Sequence, residues 1–329
     1  MQYRKLGNTD IDVSVMALGC WPFAGGQYWG DQPEQASIDT VHAALAAGIN
    51  FFDSAEGYEA GQSERVLGKA LIGRRGQAVV ATKVSGKNLR PADVEAACDR
   101  SLGNLQMDHI DLYQIHWPNH DVPLADTVGA LQRLKEQGKI RAIGVSNFAV
   151  RDLSDMLALS ECVTDQLPFS LLWRVIEREV QPICVRNDVG IICYSPLAQG
   201  LLTGRYSNAD EVPEGLSQSR WYSSKRPVSN HKEDGAETEV FEAIDKIRGL
   251  ASEAGMAMAT MALAWVKAQP GVTSFLVGAR NPEELGWNLP AVEARLSADM
   301  LARLSSITEP VKTKMGNNPD MWLSPGRMR

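Results

Sequence analysis

The sequence predicts a single (β/α)8 barrel, the TIM-barrel fold, over residues 1–329. Short β-rich runs alternate with amphipathic runs along one uninterrupted chain, and eight of the β-rich runs read as barrel strands. A doubly wound dinucleotide fold would carry G-x-G-x-x-G after its first strand, and neither that motif nor the GxxxxGK[ST] phosphate loop occurs. An α/β barrel of this length forms one domain, so we expect no domain boundary within the chain.

The predicted elements begin with an N-terminal β-hairpin, YRKLGNTDIDVS. The eight strands are VMALG (15–19), INFFD (49–53), AVVATKV (78–84), IDLYQIH (110–116), IRAIGVS (140–146), VTDQ (163–166), GIICYS (190–195) and TSFLVG (273–278). Helical spacing of apolar residues marks EQASIDTVHAALAAG, ERVLGKAL, PADVEAACDRSLGNL, LADTVGALQRLKEQG and EREVQPICVRND. Two segments fall outside the repeat: 205–237, which suits a lid or substrate loop, and a tail from about residue 309.

The composition favours a small-molecule ligand. The chain carries 33 Lys and Arg against 40 Asp and Glu, and its net charge of -7 argues against nucleic acid or an anionic membrane as partner. The first residues lack an apolar signal region and no apolar run reaches spanning length, so we expect a cytoplasmic protein. Five cysteines without a C-x-x-C pair predict buried thiols. Whether the protein forms a homo-oligomer stays open.

Polar residues stand where the predicted strands end. The series consists of Asp53, Lys83, His116, Ser146 with Asn147, Gln166, and Tyr194 with Ser195. Any one of them could be a simple strand cap, but the first members follow one another at about one βα unit. Neighbouring strands of a barrel bring such residues to one rim, where the active sites of this fold lie. The series therefore predicts an active site at the C-terminal mouth.

Asp53, Tyr58, Lys83 and His116 suit proton transfer to a carbonyl oxygen. A phenol is a weak acid at neutral pH. A neighbouring ammonium lowers the pKa of the phenol, and a carboxylate keeps that ammonium charged in a partly desolvated site. A histidine can donate a hydrogen bond to a carbonyl oxygen and orient the substrate. This set is suited to protonating the alkoxide that forms when hydride reaches a carbonyl carbon.

Several motifs resemble those of the aldo-keto reductase superfamily, from the hairpin to about residue 290. They are FFDSAEGY (51–58), ATKV (81–84), LYQIHWP (112–118), IRAIGVSN (140–147), YSPLAQGLLTG (194–204) and LVGARNPEELGWN (276–288). The resemblance implies that Tyr58 is the general acid, that Lys83 and Asp53 tune it, and that His116 orients the carbonyl. The implied partner is a small-molecule carbonyl substrate.

The same resemblance implies a nicotinamide dinucleotide bound extended across the barrel mouth. Ser146, Asn147 and Gln166 would bind its carboxamide, and Tyr194 would stack on the nicotinamide ring. The other implied cofactor residues lie at the end of the first barrel strand, beside the catalytic lysine, in the glycine-rich loop and at the adenosine end: Gly19, Cys20, Trp21, Asp53, Ser195, Pro196, Leu197, Gly200, Leu201, Gly204, Arg205, Gly278, Arg280, Glu284 and Asn288.

Glu284 is a departure from the family pattern. Arg280 fits a 2′-phosphate, whereas many relatives carry Arg or Gln where this chain has Glu284. A carboxylate repels a phosphate but accepts hydrogen bonds from a free ribose diol. We therefore expect NADPH to be preferred, with NADH as the alternative. Glu284 could instead pair with Arg280 or face the adenine amine.

His116 and His120 form an H-x-x-x-H pattern, which on a helix could bind a metal. Pro118 between them argues against a helix, so no metal is predicted. Among the tryptophans, Trp21 and Trp117 adjoin strand ends and are predicted to line the substrate pocket with Tyr58 and His116. For Trp29 and Trp221, pocket and core positions both stay open.

The function that fits best is NAD(P)H-dependent reduction of an aldehyde or ketone, a sugar included. Two alternatives stay open: an NAD-dependent sugar or polyol dehydrogenase, favoured by Glu284, and a cofactor-binding regulatory subunit with slow turnover. The loops that would set the substrate resemble the family least. The basic residues of the 205–237 loop favour a polyhydroxylated or anionic carbonyl, unless they are simply solvated; they are Arg220, Lys225, Arg226 and His231. In the tail, Arg327 and Arg329 could reach the pocket or a neighbouring subunit.

Overall fold

The barrel of this protein is a closed ring of eight parallel strands, seen in a computed structural model that describes residues 1–329 except for the side chains of Gln27 and Tyr28. The strands are β3 (Met16–Gly19), β4 (Phe51–Asp53), β5 (Val79–Val84), β6 (Ile110–Ile115), β7 (Ile140–Ser146), β8 (Thr164–Pro168), β9 (Gly190–Tyr194) and β10 (Val272–Gly278). Each pairs with the next along the chain, and β10 closes the ring against β3. The predicted (β/α)8 fold is confirmed.

Helices surround the ring and connect its strands. They are α1 (Gly26–Trp29), α2 (Glu34–Ala46), α3 (Gln62–Ala70), α4 (Pro91–Leu105), α5 (Leu124–Glu136), α6 (Val150–Leu159), α7 (Val180–Arg186), α8 (Glu237–Glu253), α9 (Met258–Lys267), α10 (Pro282–Asn288), α11 (Pro290–Glu293) and α12 (Ala298–Met315). Strands β5 and β6 are buried along their whole length, as parallel strands covered by helices on the outside are expected to be.

The N-terminal hairpin closes the bottom of the barrel. Its strands, β1 (Tyr3–Lys5) and β2 (Asp12–Ser14), pair antiparallel, as predicted. Leu6, Ile11 and Val13 between and within them pack with Phe51 and Leu112, which point into the barrel. A Cβ on Gly7 would lie 2.1 Å from the Val163 carbonyl oxygen, so the turn needs glycine to approach the barrel. The hairpin therefore fills the N-terminal end of the barrel, opposite the C-terminal mouth.

The tail begins later than predicted, because helix α12 continues to Met315 and the irregular part begins at Gly316 rather than near residue 309. The 205–237 segment contains short 3-10 turns, and its Trp221 and Tyr222 are buried and anchor it to the core. Its role as a lid or substrate loop stays a prediction. In the described part of the chain no single helix is long and apolar enough to cross a membrane.

Candidate active site

Three neighbouring strands and one loop deliver the predicted tetrad to the mouth. Asp53 ends β4, Lys83 lies one residue before the end of β5, and His116 directly follows β6. Tyr58 lies in the loop after β4, where its N–H donates to the Ala55 carbonyl oxygen. The register of the strands sets the heights of these residues along the barrel axis. Asp53 pairs with Ala81, two residues before Lys83, and Lys83 pairs with Gln114, two residues before His116. The structure thus brings together the four residues that the strand ends indicated.

The ammonium of Lys83 is the buried centre of this group. Its Nζ donates to Asp53 Oδ1 at 2.5 Å, to the Ser54 carbonyl oxygen at 2.8 Å and to Tyr58 Oη at 3.5 Å, and the side chain is fully buried. Burial by itself lowers the pKa of Lys83, but the attraction of Asp53 and Tyr58 outweighs it, so the net pKa is raised. Lys83 therefore stays charged.

Asp53 is fixed by two amides that face it from across the barrel. Its Oδ2 accepts from Gln166 Nε2 at 2.9 Å and from Gln114 Nε2 at 3.2 Å. Gln114 was missed in the sequence, although it lies two residues before His116 and a period-2 strand therefore places it on the same inward face. These donors hold the carboxylate with its other oxygen toward Lys83.

Tyr58 differs from expectation in the direction of its pKa shift. The sequence argument had Lys83 lowering the pKa of the phenol. Burial raises the pKa of Tyr58 more than Lys83 lowers it, with Asp53 adding to the increase, so the net pKa is above 10.0. Lys83 lowers the pKa of the phenol as the sequence argument had it, but that argument left out desolvation, which decides the net direction. Tyr58 consequently remains a protonated phenol with Lys83 beside its oxygen.

His116 lies across the pocket from Lys83, edge-on to Tyr58. The two rings are 5.8 Å apart at 83°. Burial, and then the charges of Lys83 and Arg327, lower the pKa of His116 to about 3, so its imidazole is neutral. A neutral ring can donate one N–H to an oxygen near the Tyr58 hydroxyl. His120 instead binds Asp152, with 2.9 Å between Nε2 and Oδ1, so the H-x-x-x-H histidines do not converge.

The residues predicted to hold a carboxamide form one connected network. Asn147 Nδ2 donates to the His116 carbonyl oxygen and to Ser146 Oγ, both at 3.0 Å, and its Oδ1 accepts from Tyr194 Oη at 2.9 Å. The amide nitrogen of Gln166 is used by Asp53, while no described residue donates to Gln166 Oε1. That oxygen fits the NH2 group of a carboxamide. The Asn147 amide is already engaged and would have to exchange a partner to bind one.

The loop after β9 provides a cradle for an extended anion. Ser195, directly after β9, has φ 51°, and Gln199 with φ 55° and Gly200 with φ 94° turn the backbone within the 3-10 segment Ala198–Thr203. A Cβ on Gly200 would find only Arg205 Nε, at 3.9 Å, so space is left for a ligand. The buried Gln199 Oε1 has no described partner. This open, arginine-flanked loop fits the pyrophosphate of a dinucleotide.

Arg280 is engaged by Glu284 at the predicted adenosine end. Its Nε and Nη2 donate to Glu284 Oε1 at 3.0 and 2.6 Å, and its backbone N–H donates to Oε2 at 2.9 Å. Asn288 continues the same helix face by donating to the Glu284 carbonyl oxygen. Of the arrangements left open by the sequence, the structure shows the Arg280 pair. A 2′-phosphate would have to compete with this carboxylate for Arg280.

Trp21 forms the wall beside Tyr58. It follows Gly19 and the buried Cys20, and its ring stacks on that of Tyr58 at 5.7 Å. Trp29 meets Trp21 edge-on at 5.6 Å and so extends the same wall. Trp221 is different, because it is buried and its indole N–H donates to the Leu172 carbonyl oxygen. The sequence left pocket and core positions open for both residues. In the structure Trp29 adjoins the pocket wall, and Trp221 lies in the core.

The chain matches known proteins over nearly its whole length. A model of the aldo/keto reductase family covers residues 15–309. The chain belongs to the aldo/keto reductase family. It is similar to the NADH-specific methylglyoxal reductase of Escherichia coli, at 35% identity over 90% of this chain and 95% of the relative.

Solved structures of this family superpose on the barrel. The glycerol dehydrogenase of Gluconobacter oxydans matches with a TM-score of 0.81 at 30% identity, over 96% of this chain and 97% of the other. An aldo-keto reductase from Klebsiella pneumoniae in complex with NADPH matches with a TM-score of 0.74 at 28% identity, over 94% of this chain and 96% of the other.

In this aldo-keto reductase the tail reaches the mouth of the barrel. From the sequence this was one of the positions left open for the tail. The guanidinium carbon of Arg327 lies 3.5 Å from the centroid of the Trp117 ring. Trp117 is therefore covered by the tail on one face. No periodic signal marks residues 316–329, so their contacts could not be read from the sequence.

The basic residues of the 205–237 loop do not point at a substrate. Arg220 is almost completely buried, pairs with Glu233 and donates to carbonyl oxygens of Asn318 and Asp320. Arg226 pairs with Glu237 and Asp210. These two arginines therefore give no support to an anionic or polyhydroxylated substrate, because their charges are used to join the loop to the tail and to helix α8. The substrate class stays a prediction.

Proposed function

We propose that this protein is an NAD(P)H-dependent carbonyl reductase that converts an aldehyde or ketone to the alcohol. The observation that carries the proposal is the Asp53–Lys83–Tyr58 chain of contacts, with neutral His116 facing it across the pocket. A protonated phenol and a neutral imidazole that converge on one point can both donate to the same oxygen. A carbonyl oxygen that becomes an alkoxide is the acceptor that such a pair would serve.

Each residue of the tetrad has a distinct role in this mechanism. The nicotinamide, when bound, supplies the hydride. His116 orients the carbonyl by donating an N–H to its oxygen, and Tyr58 Oη passes its proton to that oxygen as negative charge develops. Lys83 lies next to Tyr58 Oη and stabilises the phenolate that remains, while Asp53 keeps Lys83 charged. Trp21 covers Tyr58 and limits the access of water.

The dinucleotide would lie across the mouth from Gln166 to Arg280. Gln166 Oε1 would accept from the carboxamide, Tyr194 would flank the nicotinamide ring, and the Ser195–Gly204 turn with Arg205 would hold the pyrophosphate. We propose NADPH as the preferred cofactor with NADH also accepted. The Klebsiella relative was solved with NADPH, whereas the Escherichia coli relative is named as NADH-specific. The ion pair of Arg280 with Glu284 moderates the preference, because it occupies the guanidinium that a 2′-phosphate would need.

The test is a steady-state assay of cofactor oxidation with methylglyoxal and a panel of aldehydes, run with NADPH and with NADH. We expect aldehyde-dependent oxidation of both cofactors, with NADPH favoured. Tight cofactor binding without turnover of any aldehyde would instead support a regulatory subunit. Binding of neither cofactor would contradict the proposal.

Polyol oxidation is the second candidate. The Arg280–Glu284 pair favours it, since a carboxylate at the adenosine end suits the free ribose of NAD. The relative from Gluconobacter oxydans is named as a glycerol dehydrogenase. Faster oxidation of glycerol with NAD than reduction of any aldehyde with NADPH would favour this reading.

A further inference from the structure

The loop that carries Tyr58 contains a run of rarely populated backbone conformations. Glu59 and Ala60, directly after Tyr58, have φ angles of 45° and 48°, and Gly61 follows with φ 81°. Two consecutive residues with side chains are uncommon in the left-handed region, because Cβ lies too close to a carbonyl oxygen there. Such a segment keeps its conformation only where the surrounding structure holds it. The loop around Tyr58 therefore needs an anchor on each side.

The anchor after Tyr58 lies on helix α3. Arg65 Nη1 donates to the Ala60 carbonyl oxygen at 3.0 Å, and the Arg65 backbone N–H donates to the Gly61 carbonyl oxygen at 3.0 Å. The space at Gly61 is closed, because a Cβ there would lie 2.2 Å from Asn104 Nδ2 of helix α4. These contacts fix the end of the left-handed turn.

The anchor before Tyr58 is Glu56, which is bonded to strand β5. Its backbone N–H donates to the Lys83 carbonyl oxygen at 3.2 Å, and its Oε1 accepts from the Ser85 backbone N–H at 2.8 Å. The two bonds bracket the end of β5, so Glu56 fixes the height of the loop relative to Lys83. Tyr58 follows two residues later in a tight turn, where its N–H donates to the Ala55 carbonyl oxygen at 3.1 Å. The height set at Glu56 is thereby passed on to the phenol.

The remaining contacts of the Glu56 carboxylate show which of its properties holds the loop. Oε1 also accepts from Asn88 Nδ2 at 2.8 Å, and Oε2 accepts from Arg100 Nη2 at 3.1 Å. The Glu56 side chain is 10% exposed, whereas that of Arg100 is 55% exposed. A solvent-exposed ion pair contributes little, while a buried N–H without an acceptor is costly. The acceptor oxygen facing Ser85 and Asn88 therefore matters more than the charge.

We propose that Glu56 is a positioning residue that holds the Tyr58 hydroxyl beside the Lys83 ammonium. This inference deepens the proposed function and rests on it. Tyr58 Oη and Lys83 Nζ are 3.5 Å apart, at the long end of a hydrogen bond, so a small shift of the loop separates them. Without the bonds of Glu56, the left-handed turn is free to relax and to carry Tyr58 away from Lys83.

The test is a double-mutant cycle between Glu56→Met and Tyr58→Phe, measured as single turnovers of methylglyoxal with NADPH and excess enzyme. Methionine fills a similar space but offers no oxygen acceptor. In the wild-type background, Glu56→Met should lower the rate by about 10- to 100-fold, the cost of misplacing a reacting group by about 1 Å, with the Kd for NADPH within about twofold. In the Tyr58→Phe background it should change the rate by less than about twofold, because the group that Glu56 positions is already absent.

The conservative variant Glu56→Gln separates the contacts of this residue from its charge. Glutamine keeps an oxygen that accepts from Ser85 and Asn88 and loses only the charge that faces the exposed Arg100. Its rate should therefore stay within about threefold of the wild type. Circular dichroism of each variant checks that the barrel is folded.

Asp111→Asn is the matched control for general loss of stability. Asp111 is a buried carboxylate near the N-terminal end of β6, away from the mouth, and its Oδ2 accepts from the Val80 backbone N–H at 2.8 Å and from Arg75 Nη2 at 2.7 Å. It therefore combines a strand N–H and an arginine as Glu56 does. This variant should lower the unfolding temperature and keep the rate within about twofold of the wild type, because the two sites are independent.

Three kinetic outcomes would overturn the inference. They are equal losses from Glu56→Met in the two backgrounds, a rate for Glu56→Gln as low as that for Glu56→Met, and an equal loss of rate in Asp111→Asn. The first would show that Glu56 supports the fold and not Tyr58.

A crystal structure of Glu56→Met separates this inference from the proposed function, because it requires no turnover. We expect Tyr58 Oη to lie at least about 1 Å farther from Lys83 Nζ than the present 3.5 Å. If the wild type reduces no carbonyl, the proposed function fails and the crystal structure alone decides on Glu56. An unmoved Tyr58 would then overturn its positioning role.

Discussion

The barrel mouth has two supports that are built by different means, and we call them the strand side and the tail side. On the strand side, Asp53, Lys83 and His116 come from the ends of consecutive strands, and the register of the sheet sets their spacing. On the tail side, Arg327 covers the ring of Trp117, the residue after His116, and is held by a turn without regular secondary structure. The difference indicates that chemistry and substrate choice rest on separate supports. Changes on the strand side should affect every substrate, and changes on the tail side should affect some.

The largest effect is expected from Tyr58→Phe. Removing the phenol hydroxyl removes the proton donor and should lower kcat by about 10²- to 10⁴-fold, the usual contribution of a general acid. Cofactor affinity, followed by quenching of tryptophan fluorescence, should stay within about twofold because Phe keeps the ring against Trp21. Tyr113→Phe is the matched control, since the Tyr113 hydroxyl is buried without a partner on the same sheet. Retained turnover in Tyr58→Phe would contradict the assignment of Tyr58 as the general acid.

The positions of the catalytic residues on the strand side could be predicted from the sequence, because periodicity identifies the strands at whose ends they lie. Strand 140–146 and helix 91–105 are observed with the predicted bounds, and other strands shift by one or two residues at their ends. The convergence of Asp53, Lys83 and His116 followed from that repeat. The direction of the Tyr58 pKa shift did not, because desolvation depends on how closely the loop packs. The Asp320–Arg327 turn has no periodic signal at all, so only the folded chain reveals it.

Loss of the tail's anchor is expected to have the next largest effect. Arg220 joins the 205–237 loop to the tail, and Arg220→Met leaves Glu233 and several carbonyl oxygens without their donor. We expect the free energy of unfolding to fall by about 3 kcal/mol, because buried carbonyl oxygens of Asp320 and Met315 are left without a donor. KM for carbonyl substrates should rise while cofactor affinity is kept. Thermal unfolding and steady-state kinetics measure the two effects.

A second buried arginine sharpens that experiment. Arg174 pairs with Glu177 and donates to the Thr308 hydroxyl on helix α12, and it makes no hydrogen bond to residues 316–329 among those described. Arg174→Met should lower the unfolding temperature in the same way without raising KM. If both variants raise KM equally, general loosening of the barrel would explain the result, and the tail would have no separate role.

Cofactor choice should respond more modestly to Glu284→Gln. The change removes the carboxylate that holds Arg280 but keeps a side chain of similar size. Arg280 would then be available to a 2′-phosphate, so we expect the ratio of kcat/KM with NADPH to that with NADH to rise about 10-fold, in line with one charge-assisted contact. Glu283→Gln is the control, because it neutralises the neighbouring carboxylate of the same helix. An unchanged ratio would show that Arg280 does not read the phosphate.

The smallest change is expected from pH. Reduction requires protonated Tyr58 and neutral His116. The pKa of Tyr58 is raised, so the acid form persists above its ordinary range, and the pKa of His116 is lowered to about 3, so the neutral ring persists in mild acid. For methylglyoxal, which carries no ionisable group, kcat/KM should therefore be flat from about pH 5 to 9, falling below that range as His116 gains a proton and above it as Tyr58 loses one. A decline centred near the ordinary histidine pKa of about 6.5 would show that His116 is more hydrated than its contacts with Tyr58 and Asn147 imply. Because the charge of Arg327 contributes to the low pKa of His116, Arg327→Gln should move the acid limb of this profile to higher pH and leave the alkaline limb unchanged. That shift would show that the tail affects the protonation of His116 on the strand side.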